Sequence, residues 1–261
     1  MIVASHQIDI LPYPGFFNRM CVADVFDLSG HYDLWRKGKG IYQHRVMIGT
    51  DSKPVWLTLP VIAHHGMKQN EVMLDRERMV ECFYDKIAGV YSAWPYFGRY
   101  KNFLREQAEN APAYLWQFNL AMLLWARDVL NITTPLAFAH DYQEKTASAQ
   151  IAAQVNCYGN TYHQAMTYYS GAGGKNYLNK EDFDRRSIDI VFQDYSKLPV
   201  PEGFRTVSIL SLIMKYSPEK AAECLRGFSV EQHLTHGGIQ SWDSRLIPRL
   251  YMRRFRRLGI S

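Results

Sequence analysis

A histidine and a glutamine stand where the first predicted strand ends. The opening segment IVASHQIDILPYPGFF reads as a strand, a proline-punctuated join and the start of a helix, and His6 and Gln7 close the strand. In an open parallel α/β sheet, the ligand crevice lies at the carboxyl ends of the strands. A histidine there can bind a phosphate or act as an acid or base, although a purely hydrogen-bonded structural role is the alternative. We predict His6 and Gln7 as catalytic residues.

A glycine-rich segment, YYSGAGGKNYL, is the second candidate site. Its glycines, Gly171, Gly173 and Gly174, let backbone N–H groups approach an anion, and Lys175 adds a positive charge. The spacing matches neither GxxxxGK[ST] nor GxGxxG, so a turn between a strand and a helix is the alternative. We predict that this loop, from Ser170 to Lys175, binds substrate.

Other residues capable of chemistry stand in weaker patterns. His64 and His65 lack the third ligand that a metal site needs, so surface imidazoles are the better interpretation. No GxSxG motif surrounds Ser170, and its proximity in sequence to Cys157 and His163 does not make a triad. The cysteines show no CxxC spacing, which favours reduced thiols over a disulfide framework. We predict no metal site, and the sequence assigns no cofactor.

The positive charge of the chain is concentrated at 245–261, in RLIPRLYMRRFRRLGIS. This segment holds six arginines and no acidic residue, whereas the formal net charge of the whole chain is +5. A basic amphipathic helix suits DNA or RNA phosphates or an anionic membrane surface, and a solvated helix docked through its apolar residues is the alternative. A nucleic-acid or membrane contact would use Arg249, Arg253, Arg254, Arg256 and Arg257.

Hydrophobic periodicity predicts the elements that must position these residues. The first third reads as strands joined by turns, and from Arg76 apolar residues recur at three- and four-residue spacing, which predicts helices. After residue 131, strand and helix patterns alternate in NITTPLAF, YQEKTASAQIAAQV, AMTYY and SIDIVF, and two more helices follow. This alternation predicts an α/β fold with a mixed or partly parallel sheet flanked by helices and a helical C-terminal part.

Length and composition favour one folded unit. The chain has 261 residues, of which 47% are hydrophobic, and it contains neither a basic leader nor the roughly 18 consecutive apolar residues of a membrane-spanning helix. We predict a single compact domain over residues 1–240, with a basic helix or tail over 241–261, in a soluble cytoplasmic protein.

Six segments follow one another in an order that resembles one bacterial family. They are SHQIDILPYPGFFNRMCVADVF, VWLTLPV, LNITTPL, TYYSGAGGKNYL, SIDIVFQDY and VSILSLIMKY. The chain is similar in these to the WbqC-like protein family, which opens with a His-Gln-Pro and Leu-Pro-Trp-x-Gly-(Phe/Tyr)-Phe pattern and later has Tyr-Leu-Ser-Gly followed by Tyr-Leu. The resemblance runs from His6 to about Tyr216 and leaves out the basic tail.

The resemblance adds substrate-binding candidates position by position. The matched positions are His6, Gln7, Leu11, Pro12, Gly15, Phe17, Ala23, Asp24, Val25, Tyr169, Ser170, Gly171, Tyr177 and Leu178. Ile8 and Tyr13 replace the family's proline and tryptophan, and Arg45 matches a family stretch that resembles Asn-Arg-Asn-Arg. Gly15, Arg45 and Tyr177 therefore join the predicted substrate-binding residues.

The resemblance also implies a function. Members of this family are commonly encoded with enzymes of O-antigen and other surface-polysaccharide synthesis, which implies a group transferase acting on an activated or modified sugar, with a nucleotide-activated donor. The alternative is a nucleic-acid-binding or DNA-modifying protein of a mobile element, with its arginines on phosphates. The layout is also similar to nucleotidylyltransferase-like α/β folds. Reaction type, donor, acceptor and oligomeric state stay open at this point.

Overall fold

The computed structural model describes residues 1–29, 43–64, 66–138 and 144–227, together with the backbone of one further strand at Val230–Leu234. The described strands are β1 (Ile2–Gln7), β2 (Val25–Ser29), β3 (Arg45–Thr50), β4 (Lys53–Thr58), β5 (Val61–Ile62), β6 (Met73–Leu74), β7 (Leu136–Phe138), β8 (Met166–Ser170), β9 (Ile188–Gln193) and β10 (Val230–Leu234). The described α-helices are α1 (Pro14–Val22), α2 (Lys86–Tyr91), α3 (Phe97–Glu109), α4 (Leu115–Val129), α5 (Ala147–Tyr162), α6 (Lys180–Asp184), α7 (Ile209–Lys215) and α8 (Pro218–Glu223).

Six strands form the central sheet, in the order β10-β9-β8-β1-β2-β7. Neighbouring strands from β9 to β7 are parallel, and β10 is antiparallel to β9. From β1 the chain builds outward through β2 and β7, and then crosses to the other side of β1 to add β8 and β9. The direction of building therefore reverses between β1 and β8, which makes this pair the topological switch point of the sheet.

Helices cover both faces of the sheet. On one face, α1 buries Phe16, Phe17 and Met20 in the core that includes Ala4 of β1 and Phe26 of β2. On the other face, α5 and α6 pack on alternate residues of the same strands, in a second core that contains Val3, Val25, Ala152, Val155, Tyr158, Tyr168 and Phe183. Every residue of β8 is buried, as expected for a parallel strand covered on both sides.

Polar side chains cap the N-terminal ends of two helices that pack around the sheet. Thr146 caps α5 by accepting a hydrogen bond from the backbone N–H of Ala149, at 3.1 Å. Ser208 caps α7, and its hydroxyl donates to the carbonyl oxygen of Leu11 at 2.6 Å. The start of α7 is thereby attached to the join between β1 and α1.

The chain between β2 and β7 adds a separate layer that supports the end of β1. It contains the antiparallel pairs β3-β4 and β5-β6 and the helices α2 to α4, which extend the core on the α1 face. Asn119 of α4 is fully buried and donates hydrogen bonds to the carbonyl oxygens of Ile8, at 3.0 Å, and Gln43, at 2.6 Å. This amide holds the segment after β1 against the segment that leads into β3.

The predicted α/β fold with a partly parallel sheet is confirmed, and three elements differ from their predicted extent. The segment PVWLTLPV forms β4 and β5 instead of one strand, because Pro60 has no N–H to donate to a ladder. The first middle helix is a 3₁₀ turn, a π-helical turn at Val80–Asp85 and then α2. In NITTPLAF, only Leu136–Phe138 pairs with β2.

Candidate functional site

The two predicted site segments lie at one edge of the sheet. β1 ends at Gln7 and β8 ends at Ser170, and these strands are parallel neighbours, with Val3 opposite Tyr168. Their carboxyl ends therefore meet at the topological switch point. In open α/β sheets this is where the loops leave toward opposite faces and open a crevice.

Side chains from the two strand ends point to opposite faces of the sheet. His6 contacts Phe16 of α1, with 5.0 Å between ring centres, so it lies on the α1 face. Ser170 alternates with Tyr169, which packs on the α1 face, and is therefore directed to the α5 face. His6 and Ser170 share an edge without sharing a face, so the structure does not bring these two side chains together in one pocket, as the sequence prediction required.

The hydrogen bonds of His6 fix its tautomer. Its Nδ1 lies 3.1 Å from the carbonyl oxygen of Gln7, and because a carbonyl oxygen only accepts, Nδ1 carries the proton. The Oδ2 atom of Asp9 lies 3.5 Å from the same nitrogen. Burial, and after it the positive charge of Arg19, lower the pKa of His6 to about 3, so the ring is neutral at pH 7. The side chain is 28% exposed, and in this tautomer Nε2 carries the lone pair.

Asp9 is a buried carboxyl group beside this histidine. It is only 5% exposed, and its Oδ1 has no hydrogen-bond partner among the described residues. Burial raises the pKa of Asp9 to about 7, and the charge of Arg19 opposes the rise. Asp9 therefore changes its protonation state near neutral pH.

We expect the variant Asp9→Asn to gain free energy of unfolding relative to the wild type as the pH rises. The folded protein holds the Asp9 proton up to about pH 7, whereas the ordinary pKa is 3.8, so this stabilisation is complete below 3.8 and is lost as the pH rises through about 7. Asparagine does not ionise, and both proteins keep His6. Urea denaturation at about pH 5 and about pH 8 measures the effect. A difference between the two proteins that does not change with pH would contradict it.

Arg19 of α1 reaches back to the same edge. It is 2% exposed, its Nη1 donates to the carbonyl oxygen of Ser5 at 3.2 Å, and its Nε has no hydrogen-bond partner in the described part of the chain. Its charge also acts on Tyr168: burial raises the pKa of this tyrosine, and Arg19 is one of the groups that oppose the rise. The guanidinium group thus lies among His6, Asp9 and the residues that line the end of β8.

The glycine loop wraps around the end of β8 as a 3₁₀ turn at Ala172–Asn176. A Cβ atom at Gly174 would lie 2.1 Å from the Ser170 hydroxyl, so a side chain there would force this hydroxyl to move. A Cβ at Gly173 would meet nothing within 4 Å. The Lys175 ammonium lies 5.7 Å from the ring centre of Phe192 on β9. The side chains of Ser170 and Lys175 therefore make contacts on the α5 side of the edge, and the main chain at Gly171 is the part that faces Arg19.

Comparison with known proteins bears on the resemblance described above. The sequence profile of the WbqC-like protein family matches residues 7–223. The chain belongs to this family. The uncharacterized protein Rv1507c of Mycobacterium tuberculosis is 26% identical over 237 residues, which cover 83% of this chain and 94% of the relative. The family prediction is confirmed, and the matched range stops short of the arginines at 245–257.

The WbqC-like resemblance also marked Gln7, Gly15, Arg45 and Tyr177, and the structure gives each of them different local contacts. Gln43, two residues before Arg45, donates a hydrogen bond to the Gln7 side chain. Arg45 stacks on Trp56, with 4.7 Å from its Cζ to the ring centre. Tyr177 is 54% exposed and follows the glycine loop.

Gly15 has a packing role in this WbqC-like chain. A Cβ atom there would lie 2.4 Å from the Tyr13 ring and 2.9 Å from the Tyr195 ring. Its carbonyl oxygen accepts a hydrogen bond from Gln193 at 3.0 Å. Glycine at this position therefore allows the first turn of α1 to pack under two aromatic rings.

Arg19 and Asp9 are site residues that the sequence prediction missed. Arg19 is a charged residue on a helix whose neighbours Phe16, Phe17 and Met20 are all buried. A charged residue within the apolar face of a helix could have indicated this site from the sequence, because a buried charge needs a partner. Asp9 gives no such signal, since an acidic residue between a strand and a proline-rich join reads as a turn residue.

Some of the predicted residues lie outside the described part of the chain. The arginines proposed for nucleic-acid or membrane contact, at 249–257, are outside them, as is His65. Among residues 1–29, 43–64, 66–138 and 144–227, no group of three or more His, Cys, Asp or Glu side chains is arranged to hold a metal ion. None of the helices within those ranges is long and apolar enough to cross a membrane.

Proposed function

We propose that this protein is a group transferase of bacterial surface-polysaccharide biosynthesis, which acts on an activated or modified sugar and uses a nucleotide-activated donor. One observation supports this most: His6 and the glycine loop flank the topological switch point, where α/β folds bind nucleotides and other small ligands. The WbqC-like family resemblance supplies the polysaccharide context.

His6 then acts as a base and not as an acid. Its Nδ1 proton is held by the carbonyl oxygen of Gln7, so the lone pair that can accept a proton is on Nε2. The low pKa of His6 keeps the ring neutral at pH 7. In this proposal Nε2 accepts the proton of the acceptor hydroxyl as that oxygen attacks the activated donor, and the nucleotide leaves with the electron pair of the broken bond.

The rest of the edge positions the donor. Gln43 donates a hydrogen bond to the Gln7 side chain, and Asn119 donates one to the carbonyl oxygen of the next residue, Ile8. These bonds fix the backbone beside the proposed base. The glycine loop and Lys175 lie on the other wall, where they stabilise negative charge on the leaving nucleotide. The base and the leaving group thus take opposite sides of one crevice.

The test is a thermal-shift screen of nucleotides and nucleotide sugars, followed by an assay for nucleotide release with candidate sugar acceptors. A ligand at roughly 100 times its Kd stabilises the fold by about 2.7 kcal/mol, which raises Tm by roughly 5 °C in a chain of this size. We expect at least one nucleotide sugar to reach this shift and to be turned over. No shift with any of them, together with salt-sensitive binding of DNA, would favour the nucleic-acid alternative that the arginines at 245–257 motivate.

A further inference from the structure

We propose that Arg19 binds an oxyanion of the substrate inside the crevice, either a phosphate of an activated donor or the carboxylate of an acidic sugar. The inference deepens the proposed function, because it names the group that the site recognises. Its support is the environment of one guanidinium group, which the family resemblance did not mark.

Arg19 is buried and forms no ion pair with any of the described residues. It is 2% exposed, and in the described ranges no acidic side chain lies within 4.0 Å of its nitrogens. One neutral carbonyl, that of Ser5, accepts from Nη1, and Nε has no partner among those residues. A buried cation is costly unless it is paired and hydrogen-bonded, so the described residues leave this guanidinium group without the anion that it needs.

The described neighbours of Arg19 do not supply that anion. Around Arg19 lie His6 of β1, Asp9 of the following join, Tyr168 of β8 and Tyr177, which follows the glycine loop. His6 is neutral, and the hydroxyl of Tyr168 is engaged with the Ser5 hydroxyl at 2.9 Å. Asp9 is the one acid in this set, and it does not form an ion pair with Arg19.

Gly171 faces the guanidinium group. A Cβ atom at this position would lie 3.5 Å from the Arg19 Cζ and 3.6 Å from its Nε. The backbone angles of Gly171, φ −65° and ψ 159°, are open to any residue, so conformation does not require glycine here. The missing side chain instead leaves space beside the guanidinium group at the switch point.

The ligand chemistry follows from the shape of arginine. A planar guanidinium presents parallel N–H donors that match two oxygens of a phosphate or carboxylate. Both sources of oxyanion are compatible with a sugar-transfer reaction. Inorganic pyrophosphate and uridine diphosphate represent the phosphate, and glucuronate represents the carboxylate.

The experiment measures the Kd of these three probes for the full chain by calorimetry, together with Tm without ligand. We expect at least one probe to bind, and Arg19→Gln to weaken it roughly tenfold or more, because a charged hydrogen bond is lost. Gly171→Ala should weaken the same probe by filling the space beside Arg19, with little change in Tm. The matched controls are Arg105→Gln and Gly98→Ala, since Arg105 is an exposed residue of α3 and a Cβ at Gly98 meets nothing within 4 Å.

Three results would overturn the inference. One is that no probe binds the wild type, and another is that Arg19→Gln and Gly171→Ala bind as the wild type does. The third is a lowered Tm of Arg19→Gln without ligand combined with unchanged probe binding by Gly171→Ala, which would make Arg19 a structural residue. Should Arg19→Gln not fold, the Gly171→Ala affinity decides alone. Oxyanion binding through Arg19 without nucleotide release from any donor would reject the proposed transferase and leave this inference standing.

Discussion

Replacing His6 by glutamine is expected to lower kcat of the proposed transfer by about 10²–10⁴-fold, the usual contribution of a general base. Glutamine is close in size to histidine and keeps a donor for the Gln7 carbonyl oxygen, but it has no basic nitrogen where Nε2 stands. The loss should appear in kcat and not in the Kd of a nucleotide probe, because the oxyanion is held elsewhere. Steady-state kinetics and calorimetry on the same preparation separate the two quantities.

The matched control for this variant is His64→Gln. His64 is an exposed residue between β5 and β6, outside the crevice. It should keep the wild-type kcat. If His6→Gln also kept the wild-type kcat while its Tm was unchanged, His6 would be a structural residue and the base would lie elsewhere.

The variant Asn18→Ala is expected to cost about 2–5 kcal/mol of unfolding free energy, the largest stability effect that we predict for a polar residue. Asn18 is fully buried in α1, and its amide donates to the carbonyl oxygens of Leu225 and Gly227, each at 2.8 Å. Its Oδ1 accepts from Gln193 of β9 at 2.7 Å. Alanine removes the donor from the carbonyl oxygens of Leu225 and Gly227, while Gln193 keeps its hydrogen bond to the Gly15 carbonyl oxygen. Each buried group that is left unsatisfied carries a desolvation penalty.

Urea denaturation measures this cost, and a double variant identifies its origin. Because Asn18 and Gln193 share one network, Asn18→Ala combined with Gln193→Ala should lose less than the sum of the two single variants. The exposed Asn102→Ala on α3 is the matched control and should stay within about 0.5 kcal/mol of the wild type. Additive losses for the buried pair would contradict the network interpretation.

The fold was accessible from sequence because its signals are local. β1 and β8 are short apolar runs bounded by turn residues, and α3 and α4 repeat apolar residues at helical spacing. Parallel pairing followed from the alternation of strands and helices, since parallel strands need a crossover connection. Where a local signal was absent, as in the π-helical turn before α2, the predicted helix was wrong in detail.

The candidate site could be predicted only in part. Whether a side chain is buried, and which face of the sheet it points to, depend on contacts between segments that are distant in sequence. His6 and the glycine loop were found as strand-end residues, but the sequence did not show that His6 and Ser170 point to opposite faces. That depends on the register between β1 and β8, which are separated by more than half of the chain. Arg19 was missed for a related reason. The helical periodicity of a sequence does not show whether a charged side chain is buried at the candidate site or exposed to solvent.

The position of β8 next to β1 has a consequence for folding during synthesis. β1 pairs with β2 almost at once, but its other edge pairs with a strand that begins at residue 166. At about 5–20 residues per second, β1 waits roughly 10–30 s on the ribosome with that edge open. Open edges of apolar strands invite pairing with other chains. The edge formed by β1 and β8 is therefore among the last parts of the sheet to form. A chain that stops before Met166 has β1 but lacks β8, the strand that pairs with it at the candidate site.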